Sequence, residues 1–401
     1  MTPRFLAWAL YDLANTFFAV AMLSFYFPLW VVEDLGAKEL VFSLALAGSM
    51  IAVALLMPLC GAASDVRGGH MRYLRWTTLG CIAATALVGW TGRLLPALIL
   101  FALGNLCYQL GTVFYDAMLW KVAAPESLGT ASGIGASFGY LGSMLGLVLL
   151  WPFVQRGGHH AAFLPSAIFF LLFAIPSFML VRDPPAPPST ASLADLFQRA
   201  NTRLLDTLRQ ARAYPALCRF FIASFFSLNA INTILVFMGV YTKTALGFTE
   251  PQIIRFFLVG QGCAVAGSLL FSAVMTRLSA RRTLMLIWGG WLVAIGLARI
   301  VNDARWLWVI GPVMGLCLGS TWATSRVLLT QLSPKDRLGE FFGLAGLLGR
   351  ASSILGPLIW GLIVTDRARY HRAFEALMLM MAIGLWLLRR VPEPNEQPAP
   401  A

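Results

Sequence analysis

The sequence predicts an all-α integral membrane protein in which 12 transmembrane helices form two pseudo-symmetric six-helix bundles. The first observation is composition: of 401 residues, 58% are hydrophobic and 12% are charged. An average soluble domain is about 25% charged, and it needs polar residues to cover its surface. The second observation is a series of apolar runs of the roughly 20 residues that a bilayer-spanning helix requires. The third is a repeat that relates the two halves of the chain.

Twelve apolar runs are predicted to span the membrane. They lie at about 5–32, 40–64, 73–92, 95–119, 129–154, 161–181, 216–245, 251–277, 282–301, 305–331, 339–364 and 373–390. The first run is too long for a cleavable signal peptide and is expected to remain as the first span.

The net charge of +12 is attributed to loops rather than to a nucleic-acid partner. Arg and Lys are more frequent in the loops of one side, so both termini and the central loop are predicted to be cytoplasmic, in a bacterial inner membrane. The expected partners are the lipid bilayer and a small-molecule substrate, and the protein is expected to be a monomer. The six cysteines form no Cys-x-x-Cys pair, which favours neither a metal site nor a disulfide framework.

Four segments are predicted: an N-terminal bundle at 1–182, a cytoplasmic linker at 183–215, a C-terminal bundle at 216–391 and a disordered tail at 392–401. The linker opens with "DPPAPPS", which cannot continue a helix. Apolar residues then recur at helical spacing. They indicate an amphipathic helix on the inner membrane face, or a soluble linker helix.

The repeat appears when the chain is shifted by 210 residues, because arginines and glycines then coincide at the same places in the two halves. The matched pairs include Arg67 with Arg277, Gly139 with Gly349, and Gly146 with Gly356. Repeated halves of six spans imply two bundles with a site between them.

The loop after the second span reads "GAASDVRGGHMR", from Gly61 to Arg72. It resembles the signature G-x-x-x-D-[RK]-x-G-x-[RK]-[RK] of the major facilitator superfamily. Gly61, Asp65 and Gly68 match this signature, whereas Val66 replaces its first basic residue.

Three longer stretches resemble the vacuole-effluxer-like branch of that superfamily, which includes the yeast autophagy-related effluxer. They are "WALYDLANTFF" (Trp8–Phe18), "FYDAMLWKVAAPESLGTASGIGASFGYLGS" (Phe114–Ser143) and "SRVLLTQLSPKDRLGEFFGLAGLLGRASSILGPLIWG" (Ser325–Gly361). In the second stretch, Asp116 stands where the branch usually has Asn, and Trp120 where it has Pro. The resemblance implies secondary transport by alternating access, and export of amino acids or similar small metabolites.

Asp12 is a carboxylate inside the first span, about 12 Å deep at 1.5 Å per residue. An intramembrane carboxylate costs roughly 2.5–3.5 kcal/mol on insertion scales, so it usually faces protein or water and has a role. Asn15 lies on the same helical face. Two interpretations stay open: the pair handles protons or substrate, or Asp12 makes a fixed structural contact.

Arg350 lies near the middle of the eleventh span and needs an anionic partner or water. That partner is expected to be a substrate group or an aspartate. Its mate in the repeat is Tyr140, also at mid-depth. Both are candidate substrate or proton-binding residues.

Other polar residues of the fourth and seventh spans are candidates to line a cavity, with interhelical hydrogen bonding as the equal alternative. They are Asn105, Tyr108, Gln109, Asn229 and Asn232.

A second set is expected to form a cytoplasmic gate. Asp116 and Arg326 are repeat mates that are candidates to pair across the halves, with separate packing or local loop bonds as the alternatives. Asp65, Arg72 and Glu340 belong to the same layer. His159 and His160 have no acidic neighbour in the sequence and are expected to form a solvated turn.

The function that these patterns favour is proton-coupled export. The alternatives are an exporter of amphiphiles, lipids or drugs, and a non-transporting receptor or scaffold. No catalytic constellation or nucleotide motif is present in the sequence, so an enzyme is not expected. No cofactor is expected beyond the proton gradient.

Overall fold

The computed structural model describes residues 2–67, 69–122, 128–181, 214–275, 277–300, 304–333, 338–365 and 369–393, apart from a few side chains within these ranges. The chain divides into two compact units, Met1–Arg203 and Leu204–Ala401. The division falls within the predicted linker at 183–215, which lies outside the described residues except for its last two positions.

Among the described residues, the N-terminal unit contains six long helices. They are α1 (Pro3–Asp34), α2 (Glu39–Arg67), α3 (His70–Val88), α4 (Leu94–Val122), α5 (Leu128–Gly157) and α6 (Phe163–Leu180). The C-terminal unit contains six more. They are α7 (Pro215–Thr244), α8 (Glu250–Val274), α9 (Ala280–Ile300), α10 (Leu307–Leu332), α11 (Leu338–Ile363) and α12 (Tyr370–Arg389).

Each of the 12 predicted spans coincides with one of these helices. Within the described residues, 11 helices are long and apolar enough to cross a membrane. The remaining helix, α3, carries His70, Arg72 and Arg75 in its first two turns, and these polar side chains lower its hydropathy. The all-helical membrane fold predicted from composition is therefore confirmed.

The two units repeat the same internal packing. In the N-terminal unit, α1 packs on α5 and α6, α4 packs on α2 and α3, and α3 packs on α6. In the C-terminal unit, α7 packs on α11 and α12, α10 packs on α8 and α9, and α9 packs on α12. The five packing pairs of the C-terminal unit are those of the N-terminal unit with each helix number raised by six. This agreement is what the repeat in the sequence indicates.

The first span is not a regular helix. It is α-helical over Pro3–Phe18 and Tyr26–Leu29 but π-helical over Ala19–Ser24 and Trp30–Asp34. Phe25, at the junction, has a φ of −135° and a ψ of −76°, outside the helical region. π-Helical turns widen the hydrogen-bonding ring and are frequent at functional sites. The hydropathy of the sequence gives no sign of this irregularity.

Beyond α12, the described residues continue to Glu393, and the rest of the predicted disordered tail at 392–401 lies outside them. The Glu393 carboxylate lies 3.0 Å from a guanidinium nitrogen of Arg281 and 3.0 Å from Nε of Arg282. Arg281 also donates to the backbone carbonyl of Val391 at 2.6 Å. These contacts fix the end of α12 against the start of α9.

Candidate functional site

Asp12 lies half-buried on α1, close to polar neighbours of its own helix. The Asn15 amide donates to Asp12 Oδ1 over a long 3.5 Å, so the predicted pair shares one face. The Thr16 hydroxyl donates to the Asp12 carbonyl at 2.6 Å, which places a third polar group there. Sequence reasoning did not single out Thr16, although it lies one helical turn after Asp12.

The other side of Asp12 is formed by the glycine-rich start of α5. A Cβ atom built at Gly139 would lie 2.9 Å from Asp12 Oδ2, and one built at Gly135 would lie 2.9 Å from the Trp8 ring. A Cβ at Gly142 would run into the backbone of Leu13. Small residues allow membrane helices to approach this closely. The Asp12 carboxylate is thus held against the backbone of α5.

An aromatic cluster surrounds the same part of α1. Trp8 stacks on Tyr115 of α4 with ring centroids 4.6 Å apart, and its indole nitrogen donates to the Tyr115 carbonyl at 3.1 Å. The Tyr11 hydroxyl lies 2.6 Å from the Thr78 hydroxyl of α3. All four residues are buried, so this cluster fixes α1 against α3 and α4. Tyr11 and Tyr115 each stand next to an aspartate in the sequence, which was the signal available for finding them.

Of the three α4 candidates, Asn105 is fully buried. Its amide donates to the Ser49 hydroxyl of α2 at 2.7 Å, as in the interhelical alternative. Tyr108 is half-buried and stacks on Phe18 at 4.9 Å between centroids. Gln109 is also half-buried. Roles for these three in substrate binding stay predictions.

Asn229 joins α7 to α11 in the C-terminal unit. Its side-chain oxygen accepts from the Gly356 N–H at 2.8 Å, and its amide nitrogen donates to the Phe225 carbonyl at 2.8 Å. A Cβ at Gly356 would overlap the Thr233 hydroxyl. The mate of Gly356 in the repeat, Gly146, likewise faces the first helix of its own unit.

Asn232 makes the next contact between the same two helices. Its amide donates to the hydroxyls of Ser352 at 3.1 Å and Ser353 at 3.0 Å. Asn232 is partly exposed, and its role in substrate binding stays a prediction.

Arg350 and Tyr140 are both half-buried, on α11 and α5 respectively. The Arg350 Nη1 atom lies 3.4 Å from the Gly346 carbonyl, one turn earlier on its own helix. This weak contact satisfies one donor of the guanidinium. Binding of substrate or proton by either residue stays a prediction.

The gate candidates remain untested. Asp116 is exposed on α4, Arg72 on α3 and Arg326 on α10. The side chains of Asp65 and Glu340 lie outside the described residues. Pairing of Asp116 with Arg326 stays a prediction.

His159 corrects the expectation of a solvated turn. It is only 5% exposed, and its Nδ1 atom lies 2.8 Å from Oδ1 of Asp34 at the end of α1. The sequence did not reveal this contact because its partners are 125 positions apart. His160 alone behaves as predicted and is exposed.

Comparison with known proteins gives concordant results. Residues 126–398 match the family described as vacuole effluxer Atg22 like. An uncharacterized transporter of the major facilitator type from Bacillus subtilis, YxiO, is 24% identical over 96% of this chain and 94% of its own length. Autophagy-related protein 22 of Kluyveromyces lactis is 27% identical over 63% of this chain, which corresponds to 56% of that protein.

Solved structures show the same fold. The nucleoside transporter NupG superposes with a TM-score of 0.76 at 11% identity, over 97% of this chain and 99% of that protein. A D-xylose–proton symporter superposes with a TM-score of 0.74 at 14% identity, over 98% and 99%. The predicted membership of the major facilitator superfamily and of its effluxer branch is confirmed: this chain is a membrane transporter, not an enzyme, and it belongs to the Atg22-like vacuole effluxer family.

Proposed function

We propose that the protein is a secondary active transporter that exports amino acids or similar small metabolites by alternating access, with proton movement as the source of energy. The effluxer family supports the export direction, since its description names an efflux activity. The related transporter YxiO spans the chain from end to end, which supports an activity of the whole chain rather than of one half.

The observation that carries the proton coupling is the position of Asp12. Its carboxylate is half-buried in a membrane-spanning helix, where the charged form is costly. It lies against the α5 backbone at Gly139 and shares one face of α1 with the Asn15 amide. A small movement of α1 along the glycine-rich face of α5 changes the exposure of this carboxylate to water. Desolvation favours the protonated form of a carboxyl group, so such a movement couples protonation to conformation.

The remaining features of the proposal follow from the loops. The excess of Arg and Lys supports cytoplasmic termini in a bacterial inner membrane. We also propose that the transporter works as a monomer and needs no cofactor other than the proton gradient.

The experiment that tests this function has two stages. Purified protein is screened for thermal stabilisation by a panel of amino acids, other small metabolites and amphiphiles, because a ligand that binds only the folded state raises the melting temperature. The stabilising compounds are then tested for flux across proteoliposomes with and without an imposed pH gradient. We expect an amino acid or similar metabolite to move, and to move faster with the gradient. Flux of amphiphiles alone, or stabilisation without any flux, would contradict the proposal.

A further inference from the structure

A cavity of about 320 Å³ opens in the N-terminal unit where α1 ends. Trp30 and Asp34 of α1 form one wall, the Gly89–Gly92 turn after α3 forms another, and His160 closes a third side. Pockets for small molecules usually have volumes of about 300–1,000 Å³. The cavity is thus large enough for a small organic ligand, and Asp12 is not among the residues that line it.

The acidic group of this cavity is held in a fixed orientation. Asp34 is 33% exposed, and its Oδ1 atom lies 2.8 Å from Nδ1 of the buried His159. In the described part of the chain, this is the hydrogen bond that the carboxylate makes, so Oδ2 keeps its capacity to accept. Gly158, with a φ of +77°, places only a hydrogen atom beside Oδ2, where a Cβ atom would lie 3.7 Å away. A buried histidine therefore orients the carboxylate of a residue that lines the cavity.

Two indole rings accompany this carboxylate. Trp30 is buried and packs edge-on against Phe163 at 5.6 Å, which fixes its plane. Trp90, at the mouth of the cavity, is 78% exposed. When no ligand is bound, its ring is in contact with water or lipid headgroups. The face of an indole attracts a cation, and this attraction is stronger where the cation is shielded from water.

The charges near the cavity favour a monocation. Asp34 lies in its wall, and Glu33 precedes it on α1. Arg93 follows the Gly89–Gly92 turn but does not line the cavity. Among the described residues, no three His, Cys, Asp or Glu side chains are grouped to hold a metal ion. An organic cation fits this combination of one carboxylate and two indoles better than a metal ion does.

We propose that this cavity binds a small organic ammonium ion. The Asp34 carboxylate accepts hydrogen bonds from the ammonium group or pairs with its charge, and Trp30 and Trp90 cover its alkyl substituents. His159 acts as a positioning residue, because it orients the carboxylate without touching the ligand. Binding at this site does not depend on the proposed transport activity and can be measured without flux.

The test uses the full chain in nanodiscs and radiolabelled tetramethylammonium as the probe, measured by equilibrium binding. We expect saturable binding to the parent protein and no competition by tert-butanol, which has a similar shape and no charge. Asp34→Asn and Trp90→Leu should each weaken binding at least tenfold. Trp76→Leu is the matched control, because Trp76 is an exposed indole of α3 that does not line the cavity, and it should leave binding unchanged.

Absence of saturable binding to the parent protein would overturn the proposal. Unchanged affinity in both Asp34→Asn and Trp90→Leu would also overturn it, since Trp90 would then be only an aromatic residue of the membrane interface. If Asp34→Asn does not fold, the affinity of Trp90→Leu alone tests the proposal. This variant should fold, because the exposed side chain of Trp90 contributes little to the core.

Discussion

The Asp12 carboxylate lies against Gly139, and a single methyl group at position 139 would come within 2.9 Å of Asp12 Oδ2. The two residues belong to the first and fifth helices of one unit, 127 positions apart in the sequence. The closeness of these two helices limits the space beside the carboxylate. The contact joins an intramembrane carboxylate of the first span to the glycine-rich face of α5.

Gly139→Ala is therefore expected to displace the Asp12 carboxylate while leaving the protein folded. The new methyl group meets the end of a side chain that can rotate, so the cost should be at the low end of the roughly 1–3 kcal/mol of an overpacked core. We expect the pH dependence of transport to shift in proteoliposomes, with little change in melting temperature. Gly349→Ala is the control, since a Cβ at this repeat mate meets no atom within 4 Å. Equal pH profiles for the two variants would show that the Asp12–Gly139 contact has no part in transport.

The sequence predicted the twelve helices well because bilayer thickness imposes a length that hydropathy reveals directly. It also predicted the repeat, whose packing pairs recur in both units. The repeat singled out Gly139 and Gly146, and both glycines face α1 in the structure. Each of these predictions rests on a local sequence pattern, which is set either by the thickness of the membrane or by the packing of one helix face.

The partners of individual polar residues were not predictable. Asn105 contacts Ser49, and Asn229 contacts Gly356, across distances of 56 and 127 positions in the sequence. Such contacts depend on the rotation of whole helices, which hydropathy does not specify. The same reason explains the error at His159. The sequence showed no acidic neighbour because Asp34 reaches it only through the fold.

Asn229→Ala should lower the melting temperature of the protein in detergent. The substitution removes the hydrogen bond that Asn229 accepts from the buried Gly356 N–H, and interhelical hydrogen bonds in membranes contribute about 0.6 kcal/mol on average and up to about 1.7. Asn232→Ala is the matched control. Its partner Ser352 also donates to the Gly349 carbonyl at 2.6 Å, so this variant should lower the melting temperature less than Asn229→Ala does. If both variants melt at the same temperature as the parent, the Asn229 bond does not stabilise the α7–α11 contact.

Glu393 should make the stability of the C-terminal unit depend on pH. Burial disfavours its charged form, but the hydrogen bond from Ser279 and the charges of Arg281 and Arg282 outweigh burial, so the pKa of Glu393 is lowered. A carboxyl group with a lower pKa in the folded state contributes stability above its unfolded pKa. That contribution disappears as the pH falls through the folded value.

The measurement compares melting temperatures of the parent protein and Glu393→Gln across pH. The difference should be constant above the ordinary glutamate pKa of about 4.3 and should close as the pH falls below it. Glu375→Gln serves as control, because its pair with Arg299 is more exposed and exposed ion pairs contribute little. A difference that does not change with pH would indicate that the Glu393 charge is irrelevant.

Membrane orientation is tested by cysteine labelling in intact cells, on a background without the six native cysteines. Ser192→Cys, in the linker, should be protected from an impermeant reagent if the linker is cytoplasmic. His160→Cys should react, because His160 is exposed and comes just before the sixth span, which the linker follows in the sequence. His159 is unsuitable as a probe because it is buried against Asp34. External labelling at position 192 would reverse the proposed orientation.

Proton coupling at Asp12 is tested most directly by Asp12→Asn in proteoliposomes, with the substrate identified by the stabilisation screen. The amide keeps the shape of the carboxylate against Gly139 and removes its titration. We expect the variant to fold, to bind substrate and to exchange internal for external substrate at a rate close to that of the parent. It should no longer accumulate substrate when a pH gradient is imposed. Accumulation with an unchanged pH dependence would show that Asp12 is structural and would contradict the account.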